Sequence, residues 1–275
     1  MDGDNTVYMQ GGADEEPKIR RNGDTKQALG KPNGKSGRWI DISFCIILAV
    51  SLCMFVFSVI FANTHLRHVA SALEERSFLQ GRRTAIAERS EAYAYSPYLH
   101  DFDMEMMRIN PHFIAWITVS GTPIDYPVVR GYDNERYLDT SFSGEHNIFG
   151  TLFMDYRNRG DIVHNIIIYG HNARNDTKFS PLHRFLDPDF LAEHNTITLT
   201  SNGRVTEYRI FSARLTDIHD PAYHLDFSYP GAFEAFLERN NAPAFAEQIL
   251  TLSTCVTRGH DDDRLIVQGL LLPIE

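Results

Sequence analysis

From Ile42 to Ala62 the sequence contains neither a charged residue nor a proline. Crossing the hydrocarbon core of a bilayer takes about 20 apolar residues in a helix, and this run has that length. A buried helix of a soluble domain is the competing reading, but such helices seldom stay apolar on every face for so long. A cleaved signal peptide has a shorter apolar region with a small-residue cleavage pattern close behind, and none follows here. The run is therefore expected to be a transmembrane helix, covering 39–63 with its flanks.

Basic residues prefer the cytoplasmic side of a span. Lys18, Arg20, Arg21, Lys26, Lys31, Lys35 and Arg38 precede it, with only Asp24 as an acid among them. The N-terminus is thus expected inside and residues 63–275 outside, a single-pass protein of the cell membrane. Residues 1–38 are rich in Gly, Asn, Asp and Lys, and too poor in large apolar side chains to offset chain entropy, so they read as a disordered cytoplasmic tail. With Lys+Arg 26 against Asp+Glu 36, the formal charge is −10. That balance speaks against a nucleic-acid partner, which calls for a basic face.

The chain has 3 cysteines. Cys45 and Cys53 fall inside the span, where small apolar side chains are unremarkable. Cys255 is then the only thiol of the exported part and has no partner there for an intramolecular disulfide. It is a reactive group, half of an intermolecular bridge, or a buried side chain.

Residues 64–92 have a helical composition, with apolar positions at Leu66, Val69, Leu73 and Ile86. A second helix is expected at 98–108, so 64–108 forms a helical lead-in. From 113 onward short apolar or alternating runs are broken by Gly, Pro, Asn and Asp. Strands are expected at 113–119, 124–129, 150–155, 165–170, 196–200, 206–215, 249–254 and 264–272. Eight strands with turn signals between them indicate a mostly β fold, an all-β barrel or sandwich, over 109–275. A helix is expected at 230–240, with Pro230 in its first turn and Phe233, Phe236 and Leu237 on one face.

The sequence contains no GxxxxGK[ST], no GxGxxG after a strand, no HExxH and no CxxC. Neither a cofactor nor a metal is therefore expected. Asp261-Asp262-Asp263 lacks the spacing and glycine of a calcium loop and reads as a solvated turn. Asn175-Asp-Thr177 matches a glycosylation acceptor, but a three-residue match is weak.

Two segments remain. In Ile166-Ile-Ile-Tyr-Gly-His171-Asn172 an apolar strand ends at Gly170 and delivers a histidine, one of 12 in the chain. On its own this could be a surface-loop histidine. In Thr251-Leu-Ser-Thr-Cys255 a short strand delivers the lone thiol, and Arg264 opens the next apolar run. A thiolate is the nucleophilic form of cysteine, and a nearby imidazolium or guanidinium favours it. Histidine can protonate a leaving amine. A fixed guanidinium can donate to a developing oxyanion.

These residues resemble the sortases, and within them class B. Thr251-Leu-Ser-Thr-Cys255 matches the TLxTC signature with the serine of class B, and Tyr169-Gly-His171-Asn172 matches the histidine motif. Asn110-Pro-His-Phe-Ile-Ala-Trp-Ile117, Gly121-Thr-Pro-Ile-Asp-Tyr-Pro-Val-Val129 and Leu152-Phe-Met-Asp-Tyr-Arg157 look like class B blocks in the same order. The resemblance covers roughly 64–275. It implies an eight-stranded β-barrel with N-terminal helices and a further helix between the sixth and seventh strands. It also implies a cysteine transpeptidase of Gram-positive envelopes. Such an enzyme cleaves a C-terminal sorting motif of NPxTN or xPxTG type on a surface protein and passes it to an amine of a peptidoglycan precursor.

By that resemblance Cys255 is the nucleophile, His171 the acid and base, and Arg264 the oxyanion cation. Arg264 is preferred over Arg258 because it starts the last strand. Ser253, Tyr223 and Asn172 are the expected substrate contacts, while Tyr137 and Leu138 stay undecided between core and groove. One departure stands out: class B members often carry an acid just after the cysteine, and here Val256 and Thr257 follow. The rival readings are a membrane-tethered cysteine protease and a non-enzymatic barrel that binds the wall.

Overall fold

Ala115, Ile117 and Val119 alternate with Trp116 along the first strand, and this period of two sorts side chains to two sides of a sheet. The sheet closes on itself. In the computed structural model, which describes residues 36–90, 97–160, 163–173, 176–255 and 262–272, ten strands occur. They are β1 (Phe113–Val119), β2 (Asp125–Val129), β3 (Leu152–Met154), β4 (Asn165–Tyr169), β5 (Asn172–Ala173), β6 (Thr177–Lys178), β7 (Thr196–Ser201), β8 (Arg204–Asp217), β9 (Ile249–Cys255) and β10 (Asp263–Leu271).

Eight of them form a closed barrel in the order β1-β2-β3-β4-β9-β10-β8-β7, while β5 and β6 make a separate hairpin. All eight expected strands are barrel strands, so the fold is the closed barrel and not the sandwich. Most neighbours run antiparallel, but β2 pairs with β3 and β4 with β9 in parallel.

Ala115, Ile117, Val119, Val128, Ile168, Leu250, Leu252 and Val267 belong to the main core. A second cluster lies on the other side of β1, where Trp116 and Phe113 meet Leu79 of helix α1 (Ser36–Ser90) and Phe102 and Met106 of helix α2 (Pro97–Ile109). Phe102 and Met106 are one helical turn apart, so both reach the barrel, and the Phe102 ring meets Trp116 edge-on at 5.4 Å. A register shift between Phe113 and Ala115 lets Phe113 join Trp116 on this side. Helix α1 is fastened by Arg76, which donates to the Pro123 carbonyl at 2.6 Å, and by an Arg83–Asp125 ion pair. Asp125 also accepts from the Trp116 indole at 2.6 Å.

The helix expected at 64–92 is therefore part of α1. Leu66 and Leu73 are exposed, and Leu79 is the buried leucine. Contacts divide the chain into two units after Phe57. In the first, side chains such as Phe44, Phe55 and Phe57 are each more than 60% exposed. Among the described residues one helix is long and apolar enough to cross a membrane, in the stretch Ile42–Thr84.

Short helices α3 (Pro188–Glu193) and α4 (Ala232–Arg239) complete the fold. Helix α4 lies between the sixth and seventh barrel strands, where the sequence places one. Pro230 does not open it: Gly231, with φ 79°, is the N-cap, because the chain must turn through the left-handed region first. Phe236 and Leu237 are buried with Ile249 and Leu270, and Phe233 packs against them. The 1–35 part of the expected tail, Asn175, Arg258 and Asp261 lie outside the described residues.

Candidate active site

Three strand ends meet at one rim of the barrel. β4 and β9 run parallel in the register Tyr169↔Ser253. The chain beyond β4 therefore continues beside the end of β9, and the Gly170 amide donates to the Ser253 carbonyl at 3.1 Å. β10 returns antiparallel and places Arg264 directly opposite Cys255.

Gly170 is a glycine for steric reasons. A Cβ there would lie 2.4 Å from Leu152 Cδ2 and 2.7 Å from Phe179 Cδ2. Such contacts are far inside the van der Waals distance of about 3.5 Å. Close packing at this position draws the next residue, His171, against the barrel end. Its Nε2 lies 2.6 Å from the Leu138 carbonyl oxygen, and its own carbonyl accepts from the Phe179 amide at 3.0 Å.

His171, Cys255 and Arg264 line a single cavity of about 380 Å³. Ser253 and Tyr223 line it too, their hydroxyls 2.8 Å apart. Asn172 is not among the lining residues; its side-chain amide donates to the Cys255 carbonyl at 2.8 Å and so clasps the end of β9. Cys255 is exposed, whereas Ser253 and Thr254 before it are buried.

Further lining comes from Asn134 and Arg157, which sequence reasoning did not single out and which both donate to Asp155. Asp155 has no exposed surface. Its Oδ1 accepts from the Arg157 amide and Nε, both at 2.9 Å, and its Oδ2 from Arg157 Nη2 at 2.8 Å, Asn134 Nδ2 at 3.1 Å and the Tyr169 hydroxyl at 3.0 Å. Burial pushes this carboxyl upward, but the Arg157 and Tyr169 hydrogen bonds outweigh it and hold Asp155 below the ordinary carboxylate range. Tyr169 is raised by burial and by Asp155, so its hydroxyl keeps the proton it donates. Its ring lies nearly parallel to that of Tyr223, 6.5 Å away. Burial also raises Tyr223, against the opposing pull of the Ser253 hydrogen bond.

Asn134, Arg157 and Tyr169 line the cavity with Leu138, Phe153 and Ile218. The signal for Asp155 and Arg157 was the Asp-Tyr-Arg triplet, read only as part of a family block. Leu138 and Tyr137 separate: Leu138 lines the cavity, and Tyr137 is core.

The described lining contains two guanidinium groups and no carboxylate. A thiol, an imidazole and a cation around one space are the components of covalent acyl transfer. Among the described residues no group of three or more His, Cys, Asp or Glu could hold a metal ion.

The sequence profile of the sortase domain matches residues 117–272. Sortase B of Listeria monocytogenes is 30% identical over 181 residues, covering 61% of this chain and 73% of that protein. The structure of Clostridium perfringens sortase B matches with a TM-score of 0.58 and 31% identity, over 62% of this chain and 99% of that one. That of Staphylococcus aureus sortase B matches with a TM-score of 0.64 and 26% identity, over 74% and 100%. Sortases are cysteine transpeptidases, and the cavity at the barrel rim presents the thiol that such chemistry requires. With its closed eight-stranded barrel and its match to the sortase domain over more than half its length, the chain belongs to the sortase family, and within it to class B.

Proposed function

We propose that this enzyme cleaves a C-terminal sorting motif of NPxTN or xPxTG type after its threonine, through a thioacyl-enzyme, and joins the surface protein to an amine of a peptidoglycan precursor. The observation that carries the reading is the convergence of Cys255, His171 and Arg264 on one cavity from three adjoining strand ends.

The Cys255 thiolate attacks the threonine carbonyl, and Arg264 donates to the oxygen as negative charge develops there. His171, as imidazolium, gives its proton to the departing amine as the C–N bond breaks. The thioester keeps the acyl group activated, so no external energy source is needed. The acceptor amine then attacks, His171 takes its proton, and the thiolate leaves. Ser253 and Tyr223 form a hydroxyl pair for the bound peptide, and Asn172 holds the nucleophile's strand end. Two solved relatives support the substrate and acceptor classes: a Staphylococcus aureus sortase B–substrate complex, and a sortase B complexed with Gly3.

The proposal includes topology: a cytoplasmic tail at 1–38, an anchor at 39–63, a helical lead-in at 64–108 and an extracellular catalytic barrel at 109–275. The uncharged run and its basic N-terminal flank support it.

The test uses the full chain in detergent micelles with NPxTN, xPxTG and LPxTG peptides, with and without an amine acceptor. An acyl adduct on Cys255, resolved faster when amine is present, is expected. Hydrolysis unaffected by amine would identify a protease instead, and peptide cleavage by Cys255→Ala would overturn the site.

A further inference from the structure

His171 is held by a main-chain carbonyl, and that carbonyl belongs to a loop fastened to helix α1. We propose that the Leu138 carbonyl fixes the His171 imidazole in its Nε2–H form, so that Nδ1 gains and loses the catalytic proton, and that Asn147 is the positioning residue that keeps this carbonyl in place. The inference rests on the catalytic role given to His171 above.

A carbonyl oxygen only accepts, so the 2.6 Å contact between His171 Nε2 and the Leu138 oxygen requires the proton on Nε2. Nδ1 is then the ring nitrogen whose lone pair is open to protonation. In acylation the Nδ1 proton passes to the departing amine. In resolution Nδ1 takes a proton from the acceptor amine. Nε2 stays protonated throughout, and the Leu138 hydrogen bond strengthens as the ring becomes cationic.

The neighbouring carbonyls show how Leu138 comes to be aimed. Tyr137 O accepts from the Thr151 amide at 3.0 Å, and Asp139 O from the Asn147 amide at 2.8 Å. Each flanking carbonyl is thereby turned into the loop. Gly150, at φ 52°, permits the close approach: a Cβ there would lie 2.2 Å from Tyr137 O and 2.6 Å from Leu138 O.

Asn147 is 3% exposed. Its Oδ1 accepts from the Phe149 amide at 2.9 Å, and its Nδ2 donates to the His68 carbonyl at 3.2 Å and to Ser71 Oγ at 3.0 Å, both on α1. A second fastening is Glu75, which accepts from the Ser143 amide and hydroxyl, each at 2.8 Å. The helix that leads out of the apolar span thus has a short covalent and hydrogen-bonded route to the catalytic imidazole.

The experiment uses the full chain, labelled with ¹⁵N-histidine, in detergent micelles at a pH where the ring is neutral. The His171 signals are assigned by their loss in His171→Asn. Nε2 is expected to show the shift of a protonated nitrogen and Nδ1 that of a bare one; the reverse pattern overturns the proposal. In the near-isosteric Asn147→Asp, which keeps the Oδ1 acceptor and removes both donors, kcat should fall about tenfold with KM within about twofold, and the His171 signals should move toward a tautomer mixture. A folded Asn147→Asp enzyme with unchanged kcat and unchanged His171 signals overturns the role of Asn147. If that variant does not fold, the wild-type spectrum still decides the tautomer. Thioacylation by His171→Asn would sink the catalytic role of His171 itself, whereas an Nδ1–H tautomer in an enzyme that needs His171 would sink only this inference.

Discussion

Replacing Gly170 with alanine should slow catalysis as well as lower stability. The added Cβ would approach Leu152 Cδ2 to 2.4 Å and two Phe179 ring carbons to 2.7 and 2.9 Å. Ordinary carbon contacts lie at about 3.5–4.0 Å, so the backbone or its neighbours must give by about 1 Å. Leu152 and Phe179 are buried in the main core and have little room to retreat, so part of the displacement falls on the strand end and on His171. Overpacking of this kind costs about 1–3 kcal/mol. For a chain of this size each kcal/mol lowers Tm by roughly 2–4 °C. A 1 Å misplacement of a catalytic group costs on the order of 100-fold in rate. The assay is peptide cleavage by the full chain in micelles, read as kcat and KM, beside thermal unfolding by circular dichroism. Gly81→Ala is the control, because nothing lies within 4 Å of a Cβ there and its helix should gain slightly. A Gly170→Ala enzyme with wild-type kcat would refute the claim that close packing at this position sets the histidine.

Three further outcomes are expected. Cys255→Ala should lose all turnover and all alkylation at position 255 while keeping the wild-type Tm, since Cys255 is exposed; a drop of more than a few degrees would contradict this. Asp155→Asn should cost about 2–3 kcal/mol at pH 7, because charge-assisted bonds from Arg157 are lost around a buried group. Its carboxyl is held below the usual range, so its stabilisation is present above the unfolded pKa near 4 and fades as pH falls through the folded value; wild type and variant should converge in acid, as melts at pH 7 and pH 3 would show. Lys178 is buried, and desolvation pushes it down to about 8. Its penalty is full below that value and relaxes as pH rises toward the unfolded value of about 10.4, so Lys178→Met should raise Tm at pH 7 and gain much less at pH 10; an equal gain at both would refute the burial cost.

The barrel was legible because its strands carry strong periodicity and clear turn punctuation. Ile166–Tyr169 and Thr251–Cys255 could be placed from apolar runs alone, and Gly170 marked where the first of them stops. The hairpin of β5 and β6 was missed: each strand has two residues, too few to show a period, and polar Asn172 and Thr177 read as loop. Helix α1 is anchored to the barrel by Arg76, Arg83 and Glu75 as much as by leucines, so apolar spacing is a poor guide to its packing. Of the candidate site, the thiol, imidazole and guanidinium stand out in the sequence by chemistry and by resemblance to the family motifs. Leu138 could not, since what it offers His171 is a main-chain oxygen, and no side-chain pattern encodes that. The Asp155 network was hidden for a related reason: a carboxylate saturated by five donors cannot be told in sequence from one in a surface turn.

The parallel pairing of β4 with β9 has a consequence for how such an enzyme can vary. Parallel neighbours finish on the same edge of a barrel, so the direction of chain travel alone puts His171 and Cys255 side by side. The chain between them, from β5 through α4, leaves from that edge and includes the barrel strands β7 and β8, whose pairing is fixed, but the loops that join these elements are free to vary in length. Those loops are where insertions can reshape the peptide cleft without disturbing the reacting groups. A one-residue slip between the two strands, by contrast, would turn the imidazole or the sulfur to the wrong side of the wall.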